Sequence, residues 1–338
     1  MKNFIGIDLH STNSYIGVID SQGKRIFTQN KLNDLSIIRQ AMKPFKEDNQ
    51  GIVIESTFNW YWLVDGLMED GYQVHLANPT AMEQYSGLKY SDDQHDAIWL
   101  AEMLRLNILP EGYIYPKEQR SLRDLLRKRT RLVRHRTALL LSVKSMIANS
   151  TGERISRSRL KNLEEVDIKT LFTDPLEIIS AQSSNTVIQT LNEQISTIEK
   201  EVLKRIRLKK EFKKLLSVWG IGDILGITIM LETGNIHRFP SVGNYSSYCR
   251  CVSTKRISNG KKKGKGNQKN GNRYLAWAYV EAVHFMQQHH LEAKRWLQRK
   301  SAKCGKVVAI KALSNKIARA CYFILRDQVS FEPSKLFG

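Results

Sequence analysis

Phe4-Ile5-Gly6-Ile7-Asp8-Leu9 is the stretch on which the fold turns. It is a short apolar run with a single charge, Asp8, inside the strand that it predicts. His10-Ser11-Thr12-Asn13 follows as a turn. Residues 15–19 form a second apolar run, Ser21-Gln22-Gly23-Lys24 a second turn, and residues 25–28 a third strand. Three strands joined by tight turns predict an antiparallel meander. The period then changes. Residues 35–45 have helical spacing, 51–55 form an apolar strand, 60–70 are helical and 73–77 form another strand. The β-β-β-α-β-α-β order joins an antiparallel hairpin set to parallel crossovers.

This is the order of the RNase H-like, or RuvC-like, α/β fold, in which the first strand is central and the fourth lies beside it. Adjacent strand ends would then bring Asp8 and Glu55 together. Asp93 and Asp96 begin a helix after Lys89-Tyr90-Ser91, and their i,i+3 spacing puts them on one face. Taken singly, each has an ordinary explanation: a turn start, a strand end, acidic charge at a helix N-terminus. Together, four clustered carboxylates repel one another unless a cation neutralises them. Magnesium prefers oxygen ligands and leaves positions for phosphate oxygens. Two such ions can stabilise both the attacking and the leaving oxygen of a phosphodiester. Asp92, i,i+4 from Asp96, competes with Asp93 as a ligand. His95 is expected to stand by, because magnesium disfavours imidazole.

The remaining chain is helical and basic. With 338 residues it is long enough for two domains or more. It carries 53 Lys and Arg against 33 Asp and Glu, a formal charge of +20, which points to a polyanionic partner. Hydrophobic residues make up 41%, enough for real cores, so a disordered basic protein is excluded. No stretch approaches the roughly 18–20 apolar residues that span a bilayer. The N-terminus meets a charge too early for a secretory signal. The four cysteines make no disulfide framework, and Cys249-x-Cys251 lacks zinc-knuckle spacing, so a reducing cytoplasm is expected.

Three regions are predicted: a catalytic domain over 1–116, a basic helical and coiled-coil region over 117–212, and a mainly helical domain over 213–338. Residues 117–161 hold fourteen Lys and Arg against three acids. Arg127, Lys128, Arg131 and Arg134 are the phosphate contacts expected there. Val187, Leu191, Ile195, Ile198, Val202 and Ile206 step by 4, 4, 3, 4 and 4. That is a seam for a coiled coil or an antiparallel helix pair, and pairing between subunits would give at least a dimer. Val218-Trp219-Gly220-Ile221-Gly222 resembles the hairpin of a helix-hairpin-helix module, where backbone amides approach a phosphate. A structural turn is the other reading. Residues 250–273 contain nine Lys and Arg and no acid, interleaved with glycines, and are expected to stay mobile until they meet a phosphate backbone. Lys255, Arg256, Lys261, Lys262 and Lys263 are the contacts expected in this loop. Residues 306–327 return to an amphipathic helix.

At this point the chain resembles a known family, the DEDD transposases of insertion-sequence family one-ten. That family includes the one-eleven-eleven subgroup and the Piv-type DNA invertases. Ile5-Gly6-Ile7-Asp8 matches the first motif, and Ile54-Glu55-Ser56-Thr57 the second. Asn78-Pro79 and Asp93-Gln94-His95-Asp96-Ala97 match the third stretch. Trp219-Gly220-Ile221-Gly222, Gly234-Asn235-Ile236-His237-Arg238-Phe239 and Asn270-Gly271-Asn272-Arg273-Tyr274-Leu275 match the C-terminal motifs in order. The resemblance implies a RuvC-like domain in which Asp8, Glu55, Asp93 and Asp96 hold magnesium. It also implies a C-terminal transposase domain with a nucleophilic serine. DNA is the implied substrate, a structured noncoding RNA of the element the implied guide, and a homo-oligomer the implied working form. The active-site halves would come from different subunits, in the nucleoid-associated cytoplasm of a prokaryote.

The serine motif departs from the family pattern. Ser258-Asn259-Gly260 falls where the nucleophile is expected, with Asn259 in place of the usual glycine or serine. Arg250-Cys251-Val252-Ser253 replaces the segment that normally precedes it, so Ser253 competes with Ser258, the favoured candidate. Three functions are in competition. The first is a serine-dependent, magnesium-assisted transposase or recombinase. The second is an RNase H-like nuclease using metal-activated water, or an invertase without a guide. The third is a noncatalytic nucleic-acid-binding protein.

Overall fold

A computed structural model describes residues 1–82, 92–254, 256–264 and 270–337 of the chain. Lys89-Tyr90-Ser91 and Lys255 lie outside the described residues. The chain divides into two compact units, Met1–Lys117 and Glu118–Gly338. The two C-terminal regions read separately from sequence therefore share the second unit.

In the first unit, β1 (Asn3–Leu9), β2 (Asn13–Asp20) and β3 (Arg25–Leu32) form the antiparallel meander. Then come α1 (Leu35–Met42), β4 (Asn49–Glu55), α2 (Tyr61–Glu69) and β5 (Val74–Ala77). Asp34 starts α1 by accepting from the amides of Ser36 and Ile37. β4 runs parallel to β1 with Ile54 opposite Ile7, and β5 runs parallel to β4. A two-residue strand, β6 (Glu111–Gly112), pairs antiparallel to β5, giving the order β3-β2-β1-β4-β5-β6. Two residues carry no readable period, so the sequence does not announce β6.

Alternation gives the sheet two faces. Ile5, Ile7, Leu9, Ile52 and Ile54 pack with Ile38 and Met42 of α1 and with Leu63, Val64 and Leu67 of α2. Each such side chain, fully buried, contributes roughly 1.5–3 kcal/mol. The opposite face receives α3 (Asp93–Arg105), through Leu100 and Met103 against Val53 and Ala77.

In the second unit, α4 (Lys117–Thr151) is followed by α5 (Arg157–Lys161), α6 (Glu165–Leu171) and α7 (Pro175–Ile206). The long helices α4 and α7 run antiparallel. Leu140, Val143 and Ile147 of α4 share a core with Ala181 and Ile188 of α7, and Leu126 shares one with Val202 and Ile206. Between these cores, Arg129 pairs with Glu199 and Arg136 donates to Asn192. Part of the predicted seam packs within the chain: Val202 and Ile206 meet Leu126, and Ile195 is buried, while Val187 is exposed. Periodicity marked a buried stripe correctly but could not name its partner.

Next come α8 (Lys210–Leu215), α9 (Asp223–Thr233) and α10 (Val242–Tyr248). A hairpin of β7 (Arg256–Ser258) and β8 (Lys261–Gly264) precedes α11 (Arg273–His289), α12 (Leu291–Cys304), α13 (Lys306–Asp327) and α14 (Pro333–Phe337). Tyr245, Tyr279, Leu313, Ile317 and Tyr322 lie at the centre of their core. In the turn between α8 and α9, a Cβ on Gly220 would stand 2.2 Å from the Ala282 carbonyl oxygen of α11. That glycine is required by helix packing, whereas Gly222 opens α9 with free space around it.

Candidate active site

Asp8 lies two residues beyond Gly6 on the same strand face, the face that α3 covers. A Cβ on Gly6 would come 1.9 Å from the Ala97 carbonyl oxygen and 2.8 Å from the Ala101 nitrogen. On β2, a Cβ on Gly17 would come 2.9 Å from Ile98 Cδ1. Two glycines on neighbouring strands therefore let α3 lie with its backbone directly against the sheet. Asp93, one turn before Ala97 on that helix face, is brought beside Asp8. Glu55 follows Ile54, which is paired with Ile7, so it ends β4 at the level of Asp8.

The groups meet as this geometry requires. Asp8 is only 3% exposed. His10 Nε2 lies 3.2 Å from Asp8 Oδ2 and 3.2 Å from Asp93 Oδ1. One donor atom from each of Asp8, His10 and Asp93 falls within 4.8 Å of the others. Burial pushes the Asp8 carboxyl up to about 7; His10 opposes the rise, and the neighbouring Glu55, through charge and a hydrogen bond, and Asp93 add to it. The His10 carbonyl accepts from the side-chain amides of Asn33 and Asn59, both at 2.9 Å, which fixes the turn that carries the imidazole.

Asp92 and Asp93 take different roles. Asp92 caps α3, accepting the His95 amide at 2.7 Å, while Asp93 meets Asp8. Neither Glu55 nor Asp96 is among the three residues whose donor atoms gather, although Glu55 hydrogen-bonds to Asp8 and Asp96 lies on the same first turn of α3. His95 stacks on Trp99. Sequence reasoning missed His10, taking it only as the start of a turn. Its signal was its place, two residues after the acid at the mouth of the strand.

A carboxyl raised first by burial and then by acidic Glu55 and Asp93 beside it is a site that gains by taking up a cation. The oxygens of Asp8, Glu55 and Asp93 are hard donors of the kind magnesium accepts, and His10 adds one nitrogen.

Ser258 ends β7 opposite Lys261, exposed at the hairpin tip. Asn259 and Gly260 form the turn at φ +49° and +69°. Positive φ at both central residues is the hairpin turn that favours Asn-Gly. The Asn259 that departs from the family pattern therefore suits its backbone. Part of the basic loop forms a short hairpin, with Lys261 and Lys263 exposed and Arg256 and Lys262 placed on its strands. Ser253 is exposed on irregular chain before it.

The basic α4 is less uniform than its charge suggests. Lys128, Arg131 and Arg134 are exposed. Arg120 and Arg123 are buried. Arg127, expected as a phosphate contact, instead donates to both oxygens of buried Glu232 at 2.6 Å. Among the described residues, no helix is long and apolar enough to cross a membrane.

Comparison with known proteins gives the family. A family described as Transposase matches residues 5–150, which contain Asp8, Glu55, Asp93 and Asp96. A second, described as Transposase IS116/IS110/IS902 family, matches residues 212–298, which contain the serine hairpin. A probable family 20 transposase of Pseudomonas aeruginosa is 25% identical, covering 81% of this chain and 82% of its own length. The transposase for insertion sequence element IS1111A of Coxiella burnetii is 22% identical, covering 97% of this chain and 90% of its own length. A putative transposase of Sinorhizobium fredii is 25% identical over 83% of this chain and 70% of its own length. Two matches of one kind, in order and together over more than half of the chain, lead to one conclusion: this chain belongs to the IS110 family of transposases and is a DNA transposase.

Proposed function

We propose that this transposase cuts and rejoins DNA through a serine-linked intermediate, using magnesium held by Asp8, Glu55, Asp93 and Asp96 in an RNase H-like domain. The observation that carries the reading is the convergence of Asp8, Glu55 and Asp93 at the end of β1, with the Asp8 carboxyl raised to about 7 by burial and its neighbours. Magnesium bound there would draw charge from a phosphate oxygen and so ease displacement at phosphorus. His10, held by two asparagine amides, keeps Asp8 and Asp93 in register.

Ser258 is the nucleophile. Its Oγ forms a bond to phosphorus as the bond from phosphorus to one deoxyribose oxygen breaks, and that oxygen leaves with the proton Oγ gives up. The phosphodiester energy is conserved in the phosphoserine link, so the strand can be rejoined without an outside energy source. Lys261 and Lys263 offset charge on the pentacovalent phosphorus. Lys128, Arg131 and Arg134 hold the backbone of DNA or of a guide RNA, and the working form is a homo-oligomer.

The test uses a plasmid carrying the element, incubated with magnesium and RNA transcribed from its flanks. Wild-type protein should give a covalent protein–DNA band on denaturing gels, and Ser258→Ala should give none while still binding DNA. A band that survives Ser258→Ala and disappears in Ser253→Ala moves the nucleophile to Ser253. Cleavage without a band in any variant favours a water-using nuclease.

A further inference from the structure

The polar cluster that closes the base of the serine loop is built far more tightly than the hairpin above it. Glu232, on α9, is 1% exposed. Its carboxylate accepts two bonds from Arg127 of α4 at 2.6 Å and one from the Asn272 side-chain amide at 2.7 Å. Asn272 turns its other face to α11, accepting from the amides of Tyr274 and Leu275 at 2.8 and 3.1 Å. Its own backbone amide donates to the Tyr248 carbonyl at 2.6 Å. Arg250 donates to the carbonyls of Asn270 and Gly271, and Lys311 donates to the Arg250 carbonyl. Both ends of the 250–272 loop are therefore joined, and Glu232 ties the joint to α4.

A buried charge of this kind is poor as a stabiliser, because a well-packed apolar pair is often as stable or more so. What it supplies is geometry: a planar guanidinium, a carboxylate and an amide that fit in one arrangement. The cluster lies at the root of the one loop that holds Ser253 and Ser258. Arg127 stands next to Lys128 and one turn before Arg131, both of which face solvent.

We infer that Glu232, with Arg127 and Asn272, is a positioning residue that fixes the base of the loop carrying Ser258. The inference rests on reading Ser258 as the nucleophile. Glu232 touches neither DNA nor the reacting atoms in this role; it sets where the hairpin stands.

The experiment compares Glu232→Gln with wild type by two readouts: strand cleavage at saturating plasmid, and hydrogen exchange of the Asn272 amide. Glu232→Gln should cleave at least tenfold more slowly, with DNA affinity changed less than threefold, and the Asn272 amide should exchange faster. Asn272→Ser keeps a helix cap but removes the donor to Glu232. It should behave alike, and it carries the test if Glu232→Gln fails to fold. The double change Arg127→Met with Glu232→Leu separates position from stability. It should recover the thermal midpoint and stay slow in cleavage; recovery of both would make the cluster merely structural and overturn the inference. Wild-type cleavage and exchange in Glu232→Gln would overturn it as well. Failure of the serine reading looks different: Ser258→Ala would still form the covalent band while Glu232→Gln still loosened the loop. That result removes the role assigned to Ser258 and leaves the clamp without its cargo.

Discussion

The carboxylate pocket and the serine hairpin are built by opposite means. The pocket stands on three elements of a six-stranded sheet and a helix laid backbone-to-backbone against it. Its central acid is almost fully buried. The hairpin is two strands of three and four residues, joined by an Asn-Gly turn and exposed at its tip. A metal site needs donors fixed to within fractions of an ångström, which a packed scaffold provides. A nucleophile that must reach a phosphate on DNA needs exposure, and in the proposed reading its placing falls to the Glu232 cluster at the loop's base. The contrast makes the pocket sensitive to added volume and charge, while the hairpin tip has room for added volume.

The largest effect should come from the pocket's charge. Asp8→Asn should lower DNA strand cleavage by roughly 10²–10³-fold, the scale for losing one charge-stabilising group. It should leave the thermal midpoint unchanged or higher, because a buried carboxyl beside two others is removed. A melting curve and a cleavage time course check both halves; a large fall in the midpoint would break the contrast at its root. Gly6→Ala comes next. Its methyl would lie 1.9 Å from a backbone oxygen, so α3 must shift. A cost of about 1–3 kcal/mol or more is expected, read as a midpoint lowered by roughly 5–15 °C.

The pH dependence sharpens the same point. An acid whose carboxyl is raised on folding holds its proton more tightly in the folded chain than in the unfolded one. The stability contributed by Asp8 is thus fully present below about pH 4 and is lost as pH rises through about 7. Without divalent cation the midpoint should fall across that interval. Magnesium should offset the fall above pH 7, and Asp8→Asn should flatten it. Unchanged slopes in Asp8→Asn would move the cause elsewhere.

The hairpin should respond more weakly. Lys261→Glu with Lys263→Glu should reduce DNA affinity several-fold and lower the salt slope by about two, measured by binding titrations at a series of salt concentrations. Gly260→Ala is the smallest. A Cβ there meets nothing within 4 Å, so only the cost of holding alanine at φ +69°, about 1 kcal/mol, remains. That cost falls on the hairpin alone, and the global midpoint should not move.

What could be read from sequence divides along similar lines. Apolar runs at residues 4–9, 15–19 and 51–55, bounded by turn residues, were enough for the meander and the parallel fourth strand, because short continuous apolar runs mark strands buried on both faces. Adjacent strand ends placed Asp8 beside Glu55, and helical spacing placed Asp93 and Asp96 on one face, of which Asp93 joins Asp8 in the gathered group. His10 escaped because the direction of a turn residue depends on Asn33 and Asn59, which hold its carbonyl from far along the chain. Arg127 was counted among phosphate contacts because a charge count sees sign, whereas its partner Glu232 lies 105 residues away. The stripe through Ile195 and Val202 announced burial without saying against what. The Asn259-Gly260 turn was legible in principle, but its flanks are lysines rather than apolar residues, and the hairpin signal lost its usual frame.

The division at Lys117 also has a meaning in time. Every strand of the sheet and all of α3 belong to the first unit, so the carboxylate pocket is complete in sequence before α4 has been translated beyond its first residue. Domains fold as units during synthesis, at roughly 5–20 residues per second. Ser258 follows about 140 residues later, on the order of ten seconds at that pace. On the proposed reading, a growing chain passes through a stage at which its carboxylate pocket is complete and the serine hairpin has not yet been made. On that reading the proposed nucleophile and the residue proposed to anchor its loop are made almost together, since Asn272 emerges only just after Ser258.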